Sequence, residues 1–173
     1  FVFGRGGEEL EALAAQGVPF EVVPGVTSAL AAPAYAGIPV THRNYCSSLH
    51  IITGHKQKYG KLELDYQTLA KLEGTLIFLM SVASAPQIAA GLLEAGMDGG
   101  APAAIVENGA RPNQRSFVCP LNRLAQTMEE EAVQSPAVLL VGGVASLANQ
   151  FNCCERLPLK GKRILITRPQ QEG

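Results

Sequence analysis

The chain has 173 residues, 47% of them hydrophobic, and its 14 basic and 15 acidic side chains almost cancel. This length is enough for one full domain or for one and a half small ones. The balanced charge argues against a nucleic-acid-binding protein, and the lack of an apolar run of membrane-spanning length argues against a membrane protein.

The chain contains four cysteines without the paired spacing of a metal-binding motif. Two of them are adjacent, and neighbouring cysteines do not easily form a normal disulfide with each other. We therefore predict free thiols in a reducing, cytoplasmic compartment, rather than a metal site or a disulfide framework. The four are Cys46, Cys119, Cys153 and Cys154.

The first 24 residues have the pattern of a strand, a helix and a second strand. Residues 1–3 are apolar, residues 8–14 carry a helical stripe that Gly17 ends, and residues 20–23 are again apolar except for Glu21. The glycine-rich turn around Arg5 could hold an anion on its amides, although its spacing matches neither a P-loop nor a dinucleotide fingerprint. Arg5 is either a ligand contact or a solvated loop charge. Because the segment has neither an initiator Met nor a signal-peptide pattern, we expect the chain to start inside a longer protein rather than at a natural N-terminus.

The segment at residues 22–32 is the one around which the rest of the chain is organised. It reads as a strand end, a tight turn at Pro24-Gly25 and an alanine-rich helix that Thr27 or Ser28 can cap. The alanines let another surface or a flat ligand approach the backbone closely. Strand ends followed by helix N-termini are frequent ligand sites in α/β proteins. A close-packed helix behind an ordinary turn is the alternative.

The alanine-rich helix is followed by a polar, partly cationic segment that contains His42 and Arg43. His42 could act as a general acid or base, but a lone histidine is more often a surface or hydrogen-bonded residue.

Further along the chain, buried-strand patterns alternate with helical ones. Residues 75–80 are apolar on both faces, which predicts a central strand of a covered sheet. Met80 at its end is either core filler or a residue facing the ligand crevice. Asn108-Gly109 predicts a tight turn. The other predicted strands are 48–53, 103–107, 114–119 and 137–141, and the helices are 62–72, a helix capped by Ser84 and ended by Gly96, 121–131 and a short helix or edge at 144–152.

This alternation predicts an α/β fold with a largely parallel or mixed sheet and a ligand at the strand ends. Residues 153–162 read as a polar connector. The buried-strand pattern at 163–167 then suggests the first strand of a second domain, extending over 163–173.

Several motifs are similar to those of the tetrapyrrole methylase family, and in particular of the members that methylate uroporphyrinogen III. The resemblance runs from residue 1 to about residue 152, and the tail is similar to the opening of uroporphyrinogen-III synthase. The motifs are residues 1–9, Val-Val-Pro-Gly-Val-Thr-Ser at 22–28, Ala-Tyr-Ala-Gly-Ile-Pro-Val-Thr-His-Arg at 34–43, Thr-Gly-His at 53–55 and Val-Glu-Asn-Gly at 106–109 with Gln-Arg at 114–115.

The resemblance implies the end of a first methylase domain at 1–24, a complete second α/β domain with a mixed sheet at 25–152, a linker at 153–162 and a truncated synthase-like domain at 163–173. It implies a homodimer and a cofactor, S-adenosyl-L-methionine, folded between the two methylase domains. The family motifs assign cofactor contacts to Val2, Thr27, Ser28, Met80 and Gly109, and more weakly to Pro136 and Ala137. The family's glycine-aspartate loop is expected upstream of residue 1, so no general base is named and the isolated chain is expected to have negligible turnover.

The implied reaction is methyl transfer to two ring carbons of uroporphyrinogen III, giving precorrin-2 on the way to siroheme and cobalamin. Because this substrate carries many carboxylates, cations are expected near the cleft. A sister enzyme with another substrate, or a non-catalytic binding or dimerisation module, stays open as an alternative. The candidate substrate-binding residues are Arg5, His42, Arg43, Arg111 and Arg115.

Overall fold

A computed structural model of the protein describes residues 1–54, 64–152, 154, 157–165 and 167. A five-stranded sheet lies between two layers of helices. The strands are β1 (Leu49–Thr53), β2 (Thr75–Leu79), β3 (Pro102–Glu107), β4 (Arg115–Pro120) and β5 (Ala137–Val141). The α-helices are α1 (Gly6–Ala15), α2 (Ser28–Tyr35), α3 (Tyr66–Leu69), α4 (Ala85–Glu94), α5 (Leu124–Glu130) and α6 (Ala148–Phe151), with 3₁₀ turns at Leu121–Arg123 and Gly143–Leu147.

The sheet is mixed, and its strand order is β1-β2-β5-β3-β4. β1 and β2 are parallel, whereas β5 runs antiparallel to both β2 and β3, and β4 forms an antiparallel hairpin with β3. The carboxyl ends of β2 and β3 therefore meet the amino end of β5 at one edge of the sheet.

The two faces of the sheet bury separate apolar clusters. In β2, Leu76 and Phe78 pack on the layer formed by α4 and α5, while Ile77 and Leu79 pack on the layer formed by α2 and α6. The same alternation holds in β3 and β5. Because both faces of the central strands are covered, their sequences are continuously apolar, as predicted for residues 75–80.

Two predicted strands are absent from the described structure. Residues 1–3 and 20–23 have no strand assigned and make no ladder with another strand. Their apolar side chains are exposed, with Phe1 at 74% and Val23 at 83%. These predictions were wrong because an apolar run becomes a strand only where another strand pairs with it.

Other element boundaries differ in extent. The helix predicted at 62–72 is confined to α3, with Asp65 as its N-cap, and residues 62–63 lie outside the described residues. Ser84 takes the N-cap position of α4, but its hydroxyl makes no capping bond. In the predicted strand at 163–167, the described residues have no regular secondary structure and Ile166 lies outside them, so that strand stays a prediction. Among the described residues, no helix has the length and apolarity needed to cross a membrane.

Candidate functional site

A cleft of about 640 Å³ opens at the sheet edge where β2, β3 and β5 meet. Its volume falls within the roughly 300–1,000 Å³ typical of small-molecule sites. Five separate parts of the chain contribute to it: the N-terminal segment, helix α2, the residues after β2, the β3–β4 turn and the start of β5. The lining residues are Val2, Phe3, Gly4, Ser28, Ala32, Leu79, Met80, Val82, Ala83, Val106, Gly109, Arg111, Ser135, Pro136, Ala137 and Val138.

Helix α2 begins at the cleft. Thr27 is its N-cap, and the Thr27 hydroxyl oxygen accepts a hydrogen bond from the amide of Ala29 at 3.3 Å. Ser28, the first helical residue, lines the cleft, whereas Thr27 faces an adjoining cavity of about 590 Å³ formed with residues 22–26. The positive end of the helix dipole is therefore directed toward this region.

Met80 follows β2 in a left-handed backbone conformation, with φ of 54°. Its side chain is 50% exposed and lines the cleft, so the core-filler interpretation is wrong for this methionine. The backbone before it is held by the amide of Gly54, which donates to the carbonyl of Leu79 at 2.7 Å. The buried hydroxyl of Ser84 in turn donates to the carbonyl of Gly54 at 2.7 Å. The ends of β1 and β2 are thus joined directly behind Met80.

The β3–β4 turn forms the opposite side of the cleft. Two of its residues, Asn108 and Ala110, have positive φ angles of 51° and 63°. The amide of Asn108 donates to the carbonyl of Pro136 at 2.9 Å, which ties the turn to the start of β5. Gly109 lies so close to α2 that a Cβ atom on it would come within 2.4 Å of the Ala32 Cβ.

The five candidate substrate-binding residues do not lie together. Arg111 lines the cleft. Arg5 is exposed near the cleft, beside the lining residue Gly4, and forms an exposed ion pair with Glu8 at 3.1 Å.

His42 and Arg43 lie near the other end of β2. Cys46 forms a tight turn with His42, and the Cys46 Sγ is 3.2 Å from the Thr75 hydroxyl at the first residue of that strand. The Nδ1 atom of His42 accepts a hydrogen bond from the amide of Asn44 at 3.2 Å, and its ring packs edge-on against Tyr45.

Arg115 is engaged in a structural ion pair. Its Nε donates to Glu107 at 2.6 Å, its Nη1 donates to the carbonyl of Glu131 at 3.1 Å, and its guanidinium lies over the Phe117 ring. The hydrogen bond from Arg115 lowers the pKa of the buried Glu107 carboxyl, against the opposing effect of burial. Glu107 also accepts from the amide of Gln134 at 2.7 Å.

The fold therefore gathers most of the predicted cofactor residues around one cleft, although they are separated by up to 135 positions in the chain. Six of the seven line the larger cavity, and Thr27 lines the adjoining one. Sequence reasoning missed the partly exposed Phe3 and the supporting residues Ser84 and Gln114. The buried polar character of the last two follows only from the tertiary contacts. His55 of the predicted motif lies outside the described residues.

A helix-covered mixed sheet with a small-molecule cleft at its strand ends defines an α/β ligand-binding domain. Residues 1–125 match the family model of the tetrapyrrole (corrin/porphyrin) methylases. The chain therefore belongs to this family.

Relatives of known name extend the comparison. The chain is 53% identical over all 173 residues to the porphyrin biosynthesis protein HemD of Ruminiclostridium josui, and 43% identical over 146 residues to the uroporphyrinogen-III C-methyltransferase of Bacillus subtilis. It covers 34% of the first protein and 57% of the second, so it spans only part of the length of these curated relatives.

Solved structures share the fold. The uroporphyrin-III C-methyltransferase of Thermus thermophilus, in complex with S-adenosylhomocysteine, aligns with a TM-score of 0.72 and 37% identity. The alignment covers 85% of this chain and 63% of that one. A cobalt precorrin-4 methyltransferase aligns with the same TM-score at 24% identity and supports the fold alone.

Proposed function

We propose that the protein containing this chain transfers methyl groups from S-adenosyl-L-methionine to uroporphyrinogen III, producing precorrin-2 for siroheme and cobalamin synthesis. The observation that carries the proposal is the cleft, which collects six predicted cofactor residues from five separate parts of the chain. The names of the relatives from Bacillus subtilis and Thermus thermophilus support the same activity.

Three features of the cleft support S-adenosyl-L-methionine as its ligand. Small side chains at Ala32, Gly109 and Ala137 leave room for a flat base, and Met80 offers a polarisable surface to the sulfonium end. The positive end of the dipole of α2, at its N-terminus, stabilises a carboxylate bound near it. When bound, the cofactor supplies an electrophilic methyl group, and the residues of the chain have mainly to align it with the acceptor carbon.

Arg111 is the strongest of the proposed substrate contacts. It lines the cleft, and a guanidinium matches the forked geometry of a propionate or acetate carboxylate. Arg5, beside the cleft, is a second candidate. His42 and Arg43 would have to contact the substrate from the other end of the sheet. Arg115 would have to bind the substrate while it is paired with Glu107.

We propose the same domain division as the motifs imply: residues 1–24 end a first methylase domain, 25–152 form the second, 153–162 link it to a synthase-like domain that begins at 163. Two observations support this division. The similarity to the Ruminiclostridium josui protein continues through the tail, and the apolar side chains of Phe1 and Val23 are exposed in the described structure. We also propose a homodimer, which light scattering of the intact protein would test. The proposed location is cytoplasmic, and the free thiols of Cys46 and Cys119 support it.

Calorimetric titration of S-adenosylhomocysteine into the intact protein that contains this chain tests the proposal. Thr27→Val and Met80→Ala should each weaken binding, whereas Thr27→Ser keeps the capping hydroxyl and should bind like the wild type. Thr41→Val, an exposed threonine near the other end of the sheet, is the matched control. Binding by a folded wild type that neither Thr27→Val nor Met80→Ala weakens would contradict this site. A folded wild type that does not bind S-adenosylhomocysteine at all would refute the methyltransferase and leave a non-catalytic module.

A further inference from the structure

Gln114 is a buried polar side chain that joins two sides of the cleft. It is 5% exposed. Its Oε1 accepts a hydrogen bond from the amide of Ala110 at 2.8 Å, and its Nε2 donates to the carbonyl of Tyr35 at 3.2 Å. Both hydrogen-bonding atoms of the amide are therefore used, one on each element.

The two partners belong to elements that line the cleft. Ala110 lies in the β3–β4 turn between the lining residues Gly109 and Arg111, and Tyr35 is the last residue of α2, whose other end carries Ser28. The carbonyls at a helix C-terminus have no partner within the helix, so the bond to Tyr35 satisfies a group that would otherwise need water. Gln114 therefore connects the turn to α2 across 79 positions of sequence.

The turn is fixed on three sides by independent contacts. Asn108 is hydrogen-bonded to the start of β5, Gly109 packs on Ala32, and Gln114 bridges to the end of α2. The first contact ties the turn to β5, and the other two tie it to α2, at Ala32 and at Tyr35.

We propose that Gln114 is a positioning residue for the cofactor: it holds the β3–β4 turn at the distance from α2 that the bound cofactor requires. This inference rests on the proposed function, since it assumes that the cleft binds S-adenosyl-L-methionine. Gln114 itself does not line the main cleft. It acts through the backbone of the turn.

The chemistry of an amide makes the proposal testable. An amide accepts and donates at once, an ionised carboxylate only accepts, and a protonated carboxyl again does both. Gln114→Glu should therefore keep the bond from Ala110 and lose the bond to Tyr35 at high pH, then regain a donor as the carboxyl is protonated. The titratable side chains that share the adjoining groove with Gln114 are Tyr35, Arg111, Cys154, Lys160 and Lys162.

The experiment is calorimetric titration of S-adenosylhomocysteine into the intact protein at pH 8 and pH 5. At pH 8, Gln114→Glu should raise Kd about tenfold, because a buried carbonyl loses its donor and faces a carboxylate. At pH 5 the ratio of variant to wild-type Kd should fall to the extent that burial beside the Tyr35 carbonyl protonates the introduced carboxyl. Gln114→Met, which fills the space without either hydrogen bond, should weaken binding equally at both pH values. Gln67→Glu makes the same chemical change at an exposed position on the opposite face of the sheet and should bind like the wild type.

Hydrogen exchange of the unliganded protein gives a second readout that does not depend on binding. The amides of the turn at 108–114 should exchange faster in Gln114→Glu than in the wild type at pH 8. Wild-type affinity in Gln114→Glu at pH 8, or in Gln114→Met, overturns the positioning role. Unchanged exchange in the turn shows that the bridge does not hold it. Failure of the wild type to bind S-adenosylhomocysteine, with faster exchange in the variant, removes the proposed function and the cofactor role while the bridge itself stands.

Discussion

Gly109 in the β3–β4 turn lies directly against Ala32 of helix α2, at a distance that leaves no room for a second methyl group. A Cβ atom on Gly109 would come 2.4 Å from the Cβ and 2.9 Å from the Cα of Ala32. Real Cβ atoms do not approach this closely, so any side chain at Gly109 must move the turn, the helix or both. Because both elements line the cleft, this contact links packing to the shape of the site.

Gly109→Ala should therefore widen the cleft and weaken S-adenosylhomocysteine binding, and should destabilise the protein by about 1–3 kcal/mol, the usual cost of overpacking. Calorimetry and urea unfolding measure the two effects. Gly100→Ala is the control, since its new methyl would meet only the Asp98 side chain at an ordinary 3.4 Å.

Adding Ala32→Gly to Gly109→Ala removes one of the two clashing methyl groups. The double variant should recover part of the lost affinity, so the two changes should be non-additive. Additive losses would show that the clash is relieved elsewhere and would contradict this account.

Ser84 should contribute to stability through the bond that joins the ends of β1 and β2. Ser84→Ala leaves the buried carbonyl of Gly54 without its donor, so we expect a loss of about 1–2 kcal/mol in the free energy of unfolding. Ser146 donates to the Gly143 carbonyl at the same 2.7 Å but is exposed, where water replaces the lost donor. Ser146→Ala should therefore cost much less, and equal losses in urea unfolding would argue against a special role for Ser84.

The ion pair between Glu107 and Arg115 should make stability depend on acid pH. Arg115 holds the pKa of the Glu107 carboxyl below its ordinary value of about 4.3. The folded state therefore favours the ionised form, and this stabilisation is complete above the unfolded pKa. It is lost as the pH falls below about 4.3 and through the lower folded pKa.

Glu107→Gln removes the charge and should lower the free energy of unfolding at pH 7 by about 1–3 kcal/mol, because Arg115 loses a charged partner. The difference from the wild type should shrink between pH 4.5 and pH 3 in urea titrations. Glu130→Gln, in the exposed pair with Arg123, is the matched control and should change stability little. A constant difference down to pH 3 would mean that the carboxylate charge is not what stabilises the fold.

Arg111 should affect substrate more than cofactor if it binds a carboxylate of uroporphyrinogen III. Arg111→Ala should raise KM for this substrate about tenfold, the loss typical of a charge-assisted hydrogen bond, with Kd for S-adenosylhomocysteine nearly unchanged. Arg111→Lys should lose less. Arg123→Ala, at an exposed site paired with Glu130, controls for removal of a surface charge. An unchanged KM in Arg111→Ala would exclude this contact.

Local sequence patterns were sufficient for the elements that lie inside the fold. The unbroken apolar runs of β2 and β5 indicated central strands because strands covered on both faces have no polar side to display. Thr27 as a cap, Gly96 as a stop and the turn at Asn108-Gly109 depend on neighbouring residues, and the structure confirms all three. The cofactor candidates came from the family resemblance, and the fold places six of the seven around one cleft and Thr27 on the adjoining cavity.

What the tertiary structure alone decided was the pairing of distant segments. The insertion of β5 between β2 and β3 sets which strand ends meet, and no local pattern encodes that order. Residues 1–3 and 20–23 are apolar but form no strand, because a strand requires hydrogen bonds from a neighbour that propensity cannot supply. In the sequence, Ser84 indicates only a helix cap, and Gln114 and Arg115 only a family motif with a possible substrate contact at Arg115. Their roles arise because the fold buries or encloses them beside one particular backbone carbonyl or carboxylate, and the free energy of a buried polar group depends on that partner.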